Sequence, residues 1–409
     1  MLAFLEKYTV GELLIALAII SVAFGDIYKI AGIVPVYLAF LAVAVIFEAG
    51  TMFRQKPDSP LHFFALSWIV FATFDLALHF DNSNMTIYVS SCANSLFIYL
   101  IACTALKKRD VLSLYSKALI ICVLITIIAC VIETYTGIHY VNFDERYRRM
   151  FSSLAAGFQV NINDNATLLS LMIPAVLITM RAKTKYLIAL ILLVLVVQIG
   201  SRLCNVSTAA LLLLSAGLGL YSKIGDRDSK RTYKVLLICI FGIVAIIMAL
   251  FLDSIYSALV SLSGESLSTT TADDLFRVDR ITDTILLSLN PGFLIGNGPG
   301  ATLEIIGYSP HCSVFELLSD YGIVVFASLL ALSAPFFSAF AKRGGLMNRV
   351  LLTAFPVFFL MVSFTSSSML RIHCVWVILA ILFCYAYQQG KPAIEADALS
   401  ARGKVGSRS

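Results

Sequence analysis

The sequence predicts an all-α, polytopic membrane protein of about twelve spans. Three observations carry this. Hydrophobic residues make up 59% of the 409 residues, charged residues make up only 13%, and the apolar residues gather in runs long enough to cross a bilayer. A soluble protein needs roughly 25% charged residues to cover its surface, so much of this surface faces lipid. A span takes about 20 mostly apolar residues. Such runs lie near 10–24, 28–48, 60–79, 86–106, 112–133, 164–180, 186–200, 204–222, 235–253, 313–340, 350–367 and 373–388. The seventh and eighth are short, which fits tilted helices or a tight hairpin. The whole stretch 1–390 reads as one transmembrane domain, followed by a polar tail, 391–409, expected to be disordered.

Basic residues set the orientation. With the N-terminus cytoplasmic, the N-terminal segment with Lys7, the inner loops and the tail collect 21 of the 30 Lys and Arg residues. Lys117 sits within the fifth span. Only Lys29, Arg146, Arg148, Arg149, Arg202, Arg277, Arg280 and Arg371 remain for the outer side. Twelve spans also return the tail to the side of the N-terminus. Every inner loop is short, whereas two outer segments, about 134–163 and 254–312, are long, and long connections usually carry function. They fall after spans five and nine. That placement breaks the two-half symmetry of many transporters, and no internal repeat is visible.

The same reading excludes several classes. The net charge is +5 and the basic residues form no stripe, so there is no case for a nucleic-acid partner. Most of the nine cysteines lie inside apolar runs, where they act as small apolar filler. No CxxC or Cys/His ligand spacing exists, so no metal and no cofactor is expected. The first apolar run follows one lysine, Lys7, lacks a small-x-small cleavage site and reads as an uncleaved span.

Chemistry is expected at the outward arginines, which run against the positive-inside bias. Arg offers a planar fork that grips a phosphate in two places. Arg277 and Arg280 are spaced i, i+3 and so share one helix face. The bland alternative for these and for Arg146, Arg148 and Arg149 is a side chain that snorkels to the headgroups. His311 begins the tenth span, where the helix dipole favours a neutral ring that can accept a proton. Glu316 and Asp320 follow at i, i+4 in that span. Carboxylates inside a span are costly and default to a functional or paired reading, and an Arg from a neighbouring helix is the expected partner. Asp75 and His79 form a similar i, i+4 couple, read as structural. The run Gly296-Asn297-Gly298-Pro299-Gly300 lacks the Lys-Ser/Thr of a phosphate loop. It reads as a tight re-entrant turn.

These residues together resemble a family. FRVDRITDTILLSLNPGFLIGNGPG, followed by SPHCSVFELLSDYGI, is similar to the core of the bacterial O-antigen polymerase and O-antigen ligase superfamily. Arg277 lies fourteen positions before Pro291, and His311 lies eleven before Gly322. Ser201-Arg202 resembles the family's Ser-Arg pair at the outer end of an earlier span. Arg146, eleven before Gly157, is similar to an Arg-x10-Gly element of some polymerases. Cys312 stands where the family has Asn, and LCNVS follows the Ser-Arg pair in place of Gly and small apolar residues.

The resemblance implies a GT-C-like, metal-independent, inverting glycosyltransferase of the bacterial inner membrane. Its donor would be a glycan on undecaprenyl diphosphate. His311 would be the general base, Arg277, Arg280, Arg202 and Arg146 would bind diphosphate or substrate, and Glu316 and Asp320 would support them. The acceptor would be a second lipid-linked repeat unit in a polymerase, or the lipid A core in a ligase. The runs GYSPHCSVFELLSDYG and SSSMLRIHCVW look more like polymerases. Membrane lipids and a chain-length regulator are the other expected partners. A glycolipid transporter or flippase is the remaining alternative, with Asp75, His79, Glu316 and Asp320 as the hints of a polar path.

Overall fold

The computed structural model describes residues 7–25, 29–30, 34–54, 57–137, 139–140, 157–159, 161–199, 201–224, 279, 282–288, 294–307, 312–341, 345–366 and 368–388. These residues form an α-helical bundle with, among them, one two-residue antiparallel ladder, β1 (Lys29–Ile30) with β2 (Val34–Pro35). The long helices in the first half are α1 (Val10–Ser21), α2 (Val36–Arg54), α3 (Pro60–Leu78), α4 (Met85–Ala105) and α5 (Arg109–Thr136). Then come α6 (Ile162–Thr179), α7 (Thr184–Ile199) and α8 (Arg202–Ile224). After the short α9 (Ala301–Ile306) follow α10 (Ser313–Ala331), α11 (Ser333–Ser338), α12 (Leu346–Ser363) and α13 (His373–Gln388).

Among the described residues, seven helices are long and apolar enough to cross a membrane, and four shorter apolar helices accompany them. Their outward faces are those of a membrane-embedded protein. Ile46, Phe47 and Phe53 on α2 are 74%, 57% and 91% exposed, which water would penalise and lipid does not. Eleven of the runs read from the sequence coincide with helices. The ninth, 235–253, lies outside the described residues. The second begins at Val36 rather than near residue 28, because the β1–β2 ladder and Pro35 occupy the entry.

Helix α13 is the hub. Nearly every residue from His373 to Cys384 is buried, and the helix packs on α4, α5, α6 and α11. Trp376 stacks edge-on against Trp68 of α3 at 4.6 Å, and its Nε1 donates to the Met369 carbonyl at 2.9 Å. A buried indole N–H is thereby satisfied. The eight described cysteines carry no disulfide.

Ion pairs and hydrogen bonds sort ends of the described helices into two groups, so the bundle has two ends. The basic end holds Lys7, Lys107, Lys108 and Arg181. There the first helix starts with a capping box between Thr9 and Glu12. The buried Glu12 also accepts from Lys108 Nζ at 2.9 Å, and Thr9 Oγ1 donates to the buried Glu48 at 2.7 Å. Two buried carboxylates are thus given partners, as burial requires. The opposite, far end gathers the 79–84 turn, Gly157 and the 296–307 stretch.

Candidate functional site

The site at the far end is built around a break in α10. At Gly322 the backbone takes φ 77° and ψ −179°, a conformation essentially restricted to glycine. The break leaves helix carbonyls without their usual donors, and inside a membrane such groups must find protein partners. The run 296–300 supplies them. Asn297 donates its amide to the Ser319 carbonyl at 2.9 Å, and Gly298 donates its amide to the Asp320 carbonyl at 3.1 Å. The Asn297 Nδ2 also donates to Ser319 at 2.9 Å. The glycine-rich run is therefore a turn docked into the broken helix.

Asp320 fastens the other side of that turn. Its Oδ2 accepts from the Gly300 amide at 2.8 Å. Its Oδ1 accepts from the Thr302 amide at 2.9 Å and from Thr302 Oγ1 at 2.5 Å. Among the described residues Asp320 pairs with no arginine, because backbone and hydroxyl donors of the turn fill its acceptors. The turn also leans on the α3–α4 connection. Asn84 donates its amide to Pro299 at 2.7 Å. Gly298, at φ 112°, presses so close to His79 and Ser83 that a Cβ would meet Ser83 Oγ at 2.5 Å.

Three more carboxylates sit nearby. Glu316, one turn earlier on α10, is buried and accepts from Ser368 Oγ at 2.9 Å. Its Oε2 has no hydrogen-bond partner among the described residues. Glu316 lies within electrostatic reach of Asp320, Asp164 and Arg371. Asp164 at the start of α6 accepts from Ser366 Oγ at 2.7 Å. Asp75 of α3 is fully buried beside Asp320, and neither of its oxygens has a partner among the described residues. The expected Asp75–His79 couple is not hydrogen-bonded through its side chains. His79 instead caps α3, its amide donating to the Asp75 carbonyl at 2.9 Å, and its buried Nε2 has no partner among the described residues.

Arg146, Arg277, Arg280 and His311 lie outside the described residues, as do Arg148 and Arg149. For Arg202 only the backbone is described, as the first residue of α8. Glu316 and Asp320 are brought together with the glycine turn. Gly157 is held at the same end. Its φ is +59°, and its amide donates to the buried Glu133 Oε2 at 2.5 Å, while His139 Nδ1 meets Glu133 Oε1 at 2.5 Å.

Several contributors escaped the sequence reading. Thr302, Ser368, Ser366 and Asp164 are polar residues whose partners are 18 to 202 positions away, so no local spacing marks them. Gly322 had a signal, since a glycine two residues after a buried Asp, facing a glycine cluster upstream, marks close backbone approach. No protein-family model matches the chain, and no curated protein matches it.

Proposed function

We propose that the chain is a membrane glycosyltransferase that polymerises undecaprenyl-diphosphate-linked oligosaccharide repeat units into O-antigen or a similar surface polysaccharide. In this reading it crosses the bacterial inner membrane twelve times, with both termini cytoplasmic and the far end periplasmic. The observation that carries the reading is the turn 296–300 docked into the break of α10. It ties the chain between Arg280 and His311 to the far end of the bundle, and Cys312, next after His311, is the N-cap of α10.

The chemistry follows from these parts. An acceptor hydroxyl oxygen attacks the anomeric carbon of the donor, and its proton passes to the neutral His311 ring. The bond from that carbon to the diphosphate oxygen breaks, inverting the configuration. Arg277 and Arg280, with Arg202 and Arg146, take up the charge on the departing diphosphate. The open acceptors of Asp75 and Glu316 would orient guanidinium groups. Each guanidinium has five donors, so one carboxylate leaves the remainder for phosphate. Asp320 is a positioning residue that holds the turn.

The transporter reading is weakened by Asp320. One of the four residues that hinted at a polar path has its carboxylate engaged by Gly300 and Thr302. The test is the surface glycan of a deletion strain. Core capped with a single repeat unit is the expected result. Bare core with accumulated lipid-linked polymer would identify a ligase instead, and an unchanged glycan would overturn both.

A further inference from the structure

At the basic end, away from the site above, a cleft of about 930 Å³ opens between the start of α5, the end of α6 and the end of α13. Arg109, Lys117 and Arg181 line it. All three are exposed, and among the described residues none has an ion-pair partner. Among the described residues the one acid of the cleft, Asp110, is taken by Lys7 at 2.9 Å. The hydroxyls of Ser116 and Tyr385, 3.0 Å apart, sit among the cations.

The position of Lys117 points to the occupant. It lies eight residues into α5, about 12 Å of rise beyond Arg109, within the apolar run 112–133. A cation at that depth is costly without a counter-ion. Beyond Lys117, as far as Ile132, the exposed face of α5 is apolar. Ile121, Leu124, Ile128 and Ile132 are 45%, 40%, 57% and 44% exposed and repeat at helical spacing, forming a lipid-facing ridge. A soluble anion would use the cations and ignore the ridge. A diacyl lipid would use both.

We propose that this cleft holds the phosphate-bearing headgroup of an anionic phospholipid, with an acyl chain lying along the Ile121–Ile132 ridge. Arg109 and Arg181 take the phosphate from the aqueous side and Lys117 from the membrane side. Basic pockets between spans bind anionic lipid heads in this way. The binding is independent of the glycosyl-transfer reading and would hold for a transporter equally.

The test uses the purified full-length chain in a neutral detergent, with phosphatidylglycerol, phosphatidylcholine or inorganic phosphate added. Thermal stability and lipid adducts by native mass spectrometry are the readouts. Phosphatidylglycerol should raise the melting temperature and remain as an adduct, while phosphatidylcholine and phosphate should do neither. The double change Lys117→Gln with Arg181→Gln should weaken phosphatidylglycerol binding roughly 30-fold, two contacts of about fivefold each. Lys117→Arg should retain binding. Lys183→Gln, an exposed lysine of the same turn outside the cleft, should leave it unchanged and guards against a general loss of fold. An equal response to phosphatidylcholine would overturn the proposal. So would a matching response to inorganic phosphate, or full binding by the double variant.

Discussion

Thr302 Oγ1 donates to Asp320 Oδ1 at 2.5 Å, across a turn whose own backbone enters the break that Gly322 makes in α10. One carboxylate, two residues before the break, thus secures the segment that fills it. Turn and break should therefore form a single cooperative unit.

Gly322→Ala tests the break. An added Cβ would meet the Leu294 carbonyl at 2.7 Å and the Gly296 amide at 2.8 Å, both backbone atoms that cannot swing aside. A non-glycine residue in such a conformation costs about 1–3 kcal/mol before any clash. The variant should lose at least about 2 kcal/mol, measured as an earlier unfolding midpoint in detergent. Parent stability would show that α10 runs through unbroken.

Asp320→Asn tests the fastening. The amide keeps one acceptor and turns its NH2 toward a donor of the turn. Hydrogen bonds to a charged group contribute about 1.5–3 kcal/mol each, so a loss of about 2 kcal/mol is expected. Thr302→Val, which removes one of the three donors, should cost less. The same unfolding measurement orders the three proteins, and Thr302→Val as the more damaging change would contradict the assignment.

Much of this architecture was legible in the sequence, for physical reasons. A bilayer demands long apolar runs, so α3, matching 60–79, and α13, matching 373–388, could be read almost to the residue. Breaks and ladders leave hydropathy unchanged. The run 313–340 therefore read as one unbroken span although Gly322 divides it, and the run from 28 concealed the β1–β2 ladder. The glycine turn was visible because its composition is local. Its seat on Ser319 and Asp320 was not, since that depends on residues about twenty positions on. Glu316 and Asp320 shared a helical spacing that implied a common task. Their partners divide them, with Asp320 bound to the turn and Glu316 to Ser368 before the last helix.

At the basic end the Lys107 ammonium, 2.5 Å from Asp58, holds that carboxyl below its ordinary value. A folded-state value lowered in this way contributes stability above the unfolded carboxylate's titration. The contribution is lost as pH falls through the folded value. Both side chains are over a third exposed, so the effect is at most about 1 kcal/mol. Lys107→Ala should lose that small increment at neutral pH and converge on the parent in acid. A gap that persists below the carboxylate range would show that Lys107 acts otherwise.

Arg277→Lys keeps the charge and loses the fork. If Arg277 grips the diphosphate, glycan transfer should fall about a hundredfold, roughly 3 kcal/mol of lost interaction with developing charge, at unchanged protein level. Polymer length unaltered in both Arg277→Lys and Arg277→Ala would remove Arg277 from the proposed clamp.

The central claim rests on His311 as the base that removes the acceptor proton. The most direct measurement is transfer by purified His311→Gln protein, given an undecaprenyl-diphosphate-linked glycan donor, alongside a donor-binding assay. Gln retains a hydrogen-bonding oxygen but takes up no proton. The parent rate should rise with pH through the imidazole's titration and then level. In His311→Gln, donor binding should persist while transfer falls by about a hundred- to ten-thousandfold. Transfer by His311→Gln at the parent rate would contradict it.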